Sequence, residues 1–290
     1  MKPLHWHEVS PRDGLQNESK ILLLDDKLAL LQHLTAAQPS SIEVTSFVRG
    51  DRVPQLADAV ELCQRLIQQD WFQKAREQGM RFTGLVANQR GLDRLLESGL
   101  DSITVLVSAT ESHSQANVGM SRQAAKRVVA DLIRQAKNAG LQVRAYVSMA
   151  FVCPFEGEVA PEPVLELMAE FEAQDADVIL PADTLGAAHP ERVQSLFQSA
   201  SGQIPIQRLG MHMHNTHGHA LQNCQIGWEL GVQHFDAAAA GTGGCPFAPG
   251  AAGNLDSSSL LEWAVGSNAD LRVDRAALNL AADLLRQKLA

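Results

Sequence analysis

Apolar and β-branched residues gather in short runs at positions 4–10, 42–48, 82–87, 103–109, 143–150, 178–183, 209–214 and 235–241. Each run has the length of a strand. Helical patterns lie between them, for example at 25–36 and 122–139, with Ser121 placed to cap the second and Gly140 to end it. One unit recurs roughly every 30 residues, enough for a strand and a crossover helix. Parallel neighbours require such a crossover, so eight strand-then-helix units in series predict a parallel sheet. Closing eight of them gives a single (β/α)8 TIM barrel spanning residues 1–290, with catalytic groups at the carboxyl ends of its strands. The competing architecture, an open doubly wound sheet, usually carries a glycine-rich phosphate turn after its first strand, and Ser10-Pro11-Arg12-Asp13-Gly14 is not one. An amphipathic stretch at 273–289 predicts an additional C-terminal helix, which covers part of the barrel or makes an oligomer contact. No linker or low-complexity tract marks a second domain.

Composition narrows the function more than the fold. With 45% apolar and 20% charged residues the chain is an ordinary globular protein. Its formal net charge of −9 argues against nucleic acid and against an anionic membrane surface, since both call for a basic field. A small-molecule substrate is expected. The first residues lack the apolar stretch of a signal peptide, and nowhere do about 18 apolar residues run together, so a cytoplasmic location is expected. Cys63, Cys153, Cys224 and Cys245 are widely spaced and form no paired redox or zinc motif, which predicts free thiols. Whether the protein acts alone or as a homo-oligomer is left open.

Four places just past or within the strands carry candidate chemistry. Arg12 and Asp13 sit side by side after the first strand, either as a surface ion pair or as a guanidinium and carboxylate in a site. His212 and His214 are two apart in a strand, so their imidazoles share a face and form a natural metal clamp. His217 and His219 lie beyond that strand and read as pocket-wall or solvent-facing residues. The segment 241–254 holds five glycines before its last residues, with Cys245 able to supply a proton or thiolate and Asn254 a carbonyl oxygen for a metal. Glu43, Glu8 and Asp183 are carboxylates in otherwise apolar strands, and burial there demands a partner. Arg12 and a metal would satisfy them; pairing with Arg144 or an outward orientation are the structural alternatives.

Four segments carry a family likeness: Glu8-Val-Ser-Pro-Arg-Asp-Gly-Leu-Gln-Asn-Glu18, Ile42-Glu-Val-Thr-Ser-Phe-Val48, His212-Met-His214 and Gly243-Gly-Cys-Pro-Phe-Ala-Pro-Gly-Ala-Ala-Gly-Asn254. In this order they resemble the 3-hydroxy-3-methylglutaryl-CoA lyase family of metal-dependent TIM-barrel lyases. The resemblance implies cleavage of 3-hydroxy-3-methylglutaryl-CoA, or a close 3-hydroxy-3-carboxymethyl acyl-CoA, to acetyl-CoA and a 3-oxo acid such as acetoacetate. It implies an acyl-CoA substrate and a divalent cation, Mg2+ or Mn2+, held by Asp13, His212, His214 and Asn254. It further implies that Arg12 steadies the thioester oxygen as an enolate forms and that Cys245 protonates that enolate. Glu8, Glu43 and Asp183 would support proton transfer and orientation, and Arg12, Gln16 and Ser46 would contact substrate.

The pattern is not followed everywhere. Arg49-Gly-Asp-Arg52 stands where Ser-Pro-Lys-Trp is typical, Ser19 where lysine is frequent, Leu180-Pro-Ala182 where Ser-Leu-Gly is, and Asn215-Thr-His217 where Asp-Thr-Tyr is. These departures predict altered contacts around the acyl group. Two other functions compete: a metal-dependent retro-aldolase acting on a 4-hydroxy-2-oxo acid, and a barrel that binds an acyl-CoA without turning it over. The cysteine loop speaks against the first.

Overall fold

The computed structural model describes residues 1–243 and 253–290. Eight parallel strands close into a barrel: β1 (His5–Glu8), β2 (Ser41–Ser46), β3 (Arg81–Leu85), β4 (Ser102–Ser108), β5 (Gln142–Ser148), β6 (Val178–Asp183), β7 (Gly210–Met213) and β8 (His234–Ala237). Each pairs with its neighbour in sequence, and β8 returns to β1. This is the TIM barrel expected from the spacing. Every strand starts within one residue of the expected position, yet several end up to four residues early. There the backbone turns its hydrogen bonds to the loops: Val9 O accepts from Asp13 N–H at 2.8 Å, and Ala238 O from Gly241 N–H at 2.9 Å.

The helices form where capping and periodicity agree. Ser121 Oγ accepts from Ala124 N–H at the start of the helix Arg122–Asn138, and Gly140, with φ of +77°, takes the chain out of it. The C-terminal helix Arg275–Leu289 packs on the helix Leu24–Ala36, with Leu278 and Leu285 buried in the core, so it covers the flank of the barrel. Among the described residues no helix is long and apolar enough to cross a membrane. Cys63, Cys153 and Cys224 are free and buried, and burial pushes the Cys63 thiol up to about 12.

The two faces of the sheet differ in chemistry. Outward-facing Ile42, Phe82, Ile103, Val143, Ile179 and Phe235 build the main apolar core against the helices. Residues opposite each other in a parallel pair face the same side. The pairs Glu43–Thr83, Thr104–Arg144, Ala182–His212 and Asp236–His7 therefore trace one inner face. Where TIM barrels ordinarily fill their lumen with branched apolar side chains, this one is largely polar. A small cluster of Tyr146, Val178, Leu180 and Ala182, backed by Leu106, is its apolar wall. The register shifts between Glu43 and Thr45, so Ser46, opposite Leu85, shares the inner face with Glu43.

Histidines form the floor at the strand starts. His7 Nδ1 lies 2.7 Å from Ser41 Oγ, His7 Nε2 lies 2.9 Å from His234 Nδ1, and the His5 ring stacks on His234. Burial lowers His7 well below the ordinary imidazole range, with Arg144 and the two neighbouring imidazoles adding to it. Burial likewise lowers His234, to about 3, with His5 and Arg144 contributing. Both rings are then neutral in the folded barrel and take up protons on unfolding below the ordinary value of 6.5. Stability contributed this way is complete above that value and falls as the pH drops toward 3. In denaturant melts between pH 4 and 6, His234→Asn should flatten the slope of unfolding free energy against pH by about one proton, or ~1.4 kcal/mol per pH unit. An unchanged slope would show that His234 is already charged in the folded state.

Candidate active site

The turn after β1 is built to deliver two charged side chains. Residues Ser10–Gly14 wind wide enough that Gly14 N–H, like Asp13 N–H, reaches Val9 O. Single wide turns of this kind recur at functional sites. Gly14 is needed because a Cβ there would collide with Thr242 Oγ1. Arg12 is only 5% exposed, so the surface ion pair is excluded. Its Nε donates to Glu43 Oε2 at 2.6 Å and its Nη1 to Asp13 Oδ1 at 2.6 Å. Arg12, rather than Arg144, is therefore the partner of Glu43; Arg144 pairs with Asp236.

His212 and His214 present both rings to the same carboxylate. Their Nε2 atoms lie 3.7 and 3.5 Å from Asp13 Oδ2. Residues 253–255 run antiparallel to the end of β7: Asn215 N–H donates to Gly253 O at 2.8 Å and Leu255 N–H to Met213 O at 3.0 Å. This pairing sets Asn254 beside the cluster, with Nδ2 donating to Asp13 Oδ2 at 2.9 Å and to Thr242 O at 3.0 Å. Gly243, at φ of +103°, leaves the space that the Asn254 amide occupies.

Among the described residues, Asp13, His212 and His214 are the one group of carboxylate and imidazole donors close enough to hold a metal ion, with ligand atoms within 4.8 Å of one another. The charges suit a cation. The linked groups comprise two guanidiniums (Arg12, Arg144) against three carboxylates (Asp13, Glu43, Asp236), all buried. Imidazole and carboxylate donors match a divalent first-row or alkaline-earth ion; the Asn254 side chain turns its Nδ2 to Asp13 and would offer its oxygen to a cation with the amide rotated. Burial alone would raise the Asp13 carboxyl, but Arg12 and the two imidazoles hold it well below the usual carboxylate range. Burial opposes charge on His212, yet the hydrogen bond to Asp236 and the field of Asp13 raise it overall.

The remaining candidates separate by contact. Glu43 keeps Oε1 buried without a hydrogen-bond partner among the described residues, and so does the hydroxyl of Ser46. Gln16 is half-buried beyond the turn. Glu8 turns to the scaffold: its carboxylate accepts from the N–H groups of Ser10 and Ala239 at 2.9 Å each and from Ser257 Oγ at 2.7 Å. Asp183 accepts from Ala187 and Ala188 N–H at 3.0 Å, closing the loop after β6, and burial raises its carboxyl against those bonds. His217 is exposed and His219 half-buried, as expected for residues outside the cluster. Cys245 and the glycine-rich segment around it lie, over 244–252, outside the described residues. At the departures, Arg49 pairs with Asp51 in solvent, while Leu180 lies in the lumen wall.

Sequence reasoning missed Asp236 and Tyr146. Asp236 Oδ2 accepts from Tyr146 Oη at 2.5 Å and lies 3.1 Å from His212 Nδ1. Asp236 is a carboxylate inside an apolar run, the same signal that singles out Glu43.

The HMGL-like family model matches residues 3–284. The chain belongs to the HMGL-like family. The hydroxymethylglutaryl-CoA lyase YngG of Bacillus subtilis is 34% identical over 97% of this chain and 92% of that protein. The (R)-citramalyl-CoA lyase of Chloroflexus aurantiacus is 36% identical over 97% of this chain and 90% of that one. A solved HMG-CoA lyase from Acinetobacter baumannii, in complex with coenzyme A and 3-methylmalate, superposes with a TM-score of 0.90 at 31% identity, covering 99% of this chain and 91% of that one. These HMGL-like relatives carry lyase names for two different acyl groups, so membership speaks to reaction class before substrate.

The Glu8 contacts make a separable prediction. Glu8→Ala should lower unfolding free energy by roughly 2–4 kcal/mol in denaturant melts, because buried N–H and O–H donors lose their acceptor. A variant with unchanged stability and lost turnover would return Glu8 to the chemistry.

Proposed function

We propose that this HMGL-like lyase cleaves 3-hydroxy-3-methylglutaryl-CoA, or a close 3-hydroxy-3-carboxymethyl acyl-CoA, to acetyl-CoA and a 3-oxo acid. The observation that carries the reading is the buried Asp13–His212–His214 cluster with the Arg12 guanidinium bonded to Asp13, at the carboxyl ends of the strands. Asp13, His212, His214 and Asn254 would hold the cation, Mg2+ or Mn2+. When bound, it supplies Lewis-acid polarisation of the substrate's hydroxyl and carboxylate oxygens. Glu43, through its unpartnered Oε1, is the best-placed carboxylate to receive the hydroxyl proton. As the C–C bond breaks, its electron pair moves onto the thioester α-carbon, and charge grows on the thioester oxygen. Arg12 stabilises that charge, which exists chiefly in the transition state. The Cys245 thiol returns a proton to the enolate carbon, giving acetyl-CoA. Ser46, with a free hydroxyl on the inner face, and Gln16 at the rim would orient the acyl group.

Metal-loaded protein supplied with 3-hydroxy-3-methylglutaryl-CoA should release acetyl-CoA and acetoacetate, lose activity to a chelator and regain it with Mg2+ or Mn2+. Faster turnover of (R)-citramalyl-CoA would change the acyl group and keep the reaction class. Pyruvate released from a 4-hydroxy-2-oxo acid, with no thioester cleavage, would overturn the assignment. Arg12→Lys should lower kcat on the order of 10²–10³-fold, because an ammonium cannot reproduce the planar fork. A defect confined to KM would instead place Arg12 in substrate binding. His214→Ala should lower metal content and turnover together, and a variant that keeps stoichiometric metal would remove His214 from the ligand set.

A further inference from the structure

The imidazole of His212, whose Nε2 faces Asp13, is tied through Asp236 to side chains of a third strand. His212 stands on β7, and its Nδ1 lies 3.1 Å from Oδ2 of Asp236 on neighbouring β8. Arg144 and Tyr146 reach Asp236 across the lumen from β5, three strands away around the barrel. The Tyr146 hydroxyl donates to Oδ2 at 2.5 Å, and Arg144 Nη2 donates to Oδ1 and, at 3.1 Å, to the Tyr146 oxygen. The Tyr146 ring also stands edge-on to His212, with centroids 5.6 Å apart and planes at 78°. Arg144, Tyr146, His212 and Asp236 are all buried. His214 is held differently: its Nδ1 is buried with no hydrogen-bond partner among the described residues.

We propose that Asp236 is a positioning residue for the metal site, which holds His212 with its proton on Nδ1 and its Nε2 lone pair turned toward Asp13, and that Tyr146 and Arg144 lock Asp236 in that task. An ionised carboxylate only accepts hydrogen bonds, so the nitrogen facing it must carry the proton and the far nitrogen is left as the donor to a cation. Nε2 is the atom on the Asp13 side. The two side chains from β5 supply what a lone carboxylate in a barrel lumen lacks: a countercharge from Arg144 and a second donor on Oδ2 from Tyr146. Partners of this kind commonly change metal affinity 10–100-fold. The inference rests on the metal-site reading above, and a measurement without metal keeps the two apart.

In metal-free protein with 15N-labelled histidine, long-range 15N–1H spectra report which nitrogen of each ring is protonated, and His212→Gln identifies the His212 signals. At alkaline pH, where the ring carries a single proton, the wild type should show that proton on His212 Nδ1. Asp236→Asn should redistribute that tautomer and weaken Mn2+ binding, measured calorimetrically, by 10–100-fold. Tyr146→Phe, which keeps the Arg144–Asp236 pair, should weaken Mn2+ binding severalfold while retaining the fold by circular dichroism. A neutral His212 protonated on Nε2 alone in the wild type overturns the proposal. So does a folded Asp236→Asn that binds Mn2+ within twofold of wild type. Should Asp236→Asn fail to fold, Tyr146→Phe decides alone, and wild-type tautomer and affinity there overturn the proposal. If the wild-type protein binds no Mn2+ but shows the expected tautomer, the metal reading fails and the hydrogen-bond assignment stands.

Discussion

Across the lumen of the barrel the guanidinium of Arg144 meets the carboxylate of Asp236, and the order of the site propagates from that buried contact. Neither charge is tolerable there alone: removing one partner of a buried pair costs about 3–5 kcal/mol, a large share of a domain's net stability. Asp236 touches His212, His212 faces Asp13, Asp13 is bonded to Arg12, and Arg12 to Glu43. These four links join β8, β7, the turn after β1 and β2, and the Arg144–Asp236 pair adds β5. A shift at one end changes the electrostatic setting of the others, because the medium between them is protein and little water screens them.

The barrel divides its labour between two faces. Outward-facing branched and aromatic side chains pack against the helices and supply the apolar burial that stabilises the fold. The inner face gives up much of that burial to hold imidazoles, carboxylates, hydroxyls and two guanidiniums. Its floor of histidines and its middle layer of paired charges fill much of the lumen, while Glu43 Oε1 and the Ser46 hydroxyl are left without partners among the described residues. The apolar wall of Leu106, Val178, Leu180 and Ala182 is the exception, and it flanks Tyr146 and His212. Leu180 thus falls on the inside of the barrel, whereas the Arg49–Asp51 pair lies in solvent, where an ion pair contributes little.

Much of this is legible in the sequence itself. Periodicity and spacing determined the eight strands, the closed parallel barrel and the terminal helix, because those depend on local propensity and on how many residues a crossover needs. The His212 and His214 pair was legible for the same reason: residues two apart on a strand share a face. The ordered motifs pointed to the family and hence to Asp13 and Asn254. Strand ends were less visible, since the apolar pattern runs on past the point where loop N–H groups claim the strand's carbonyls, as at Val9 and Ala238. What only the tertiary structure decided was partnership. Glu8, Glu43, Asp183 and Asp236 are all carboxylates in apolar runs, and nothing local distinguishes them. Closure of the barrel turns Glu8 onto Ser10, Ala239 and Ser257, Asp183 onto the loop after β6, Glu43 onto Arg12, and Asp236 onto residues 90 or more positions earlier in the chain. A side chain's face follows from its own strand, but its partner follows from which strands the closed sheet sets opposite one another.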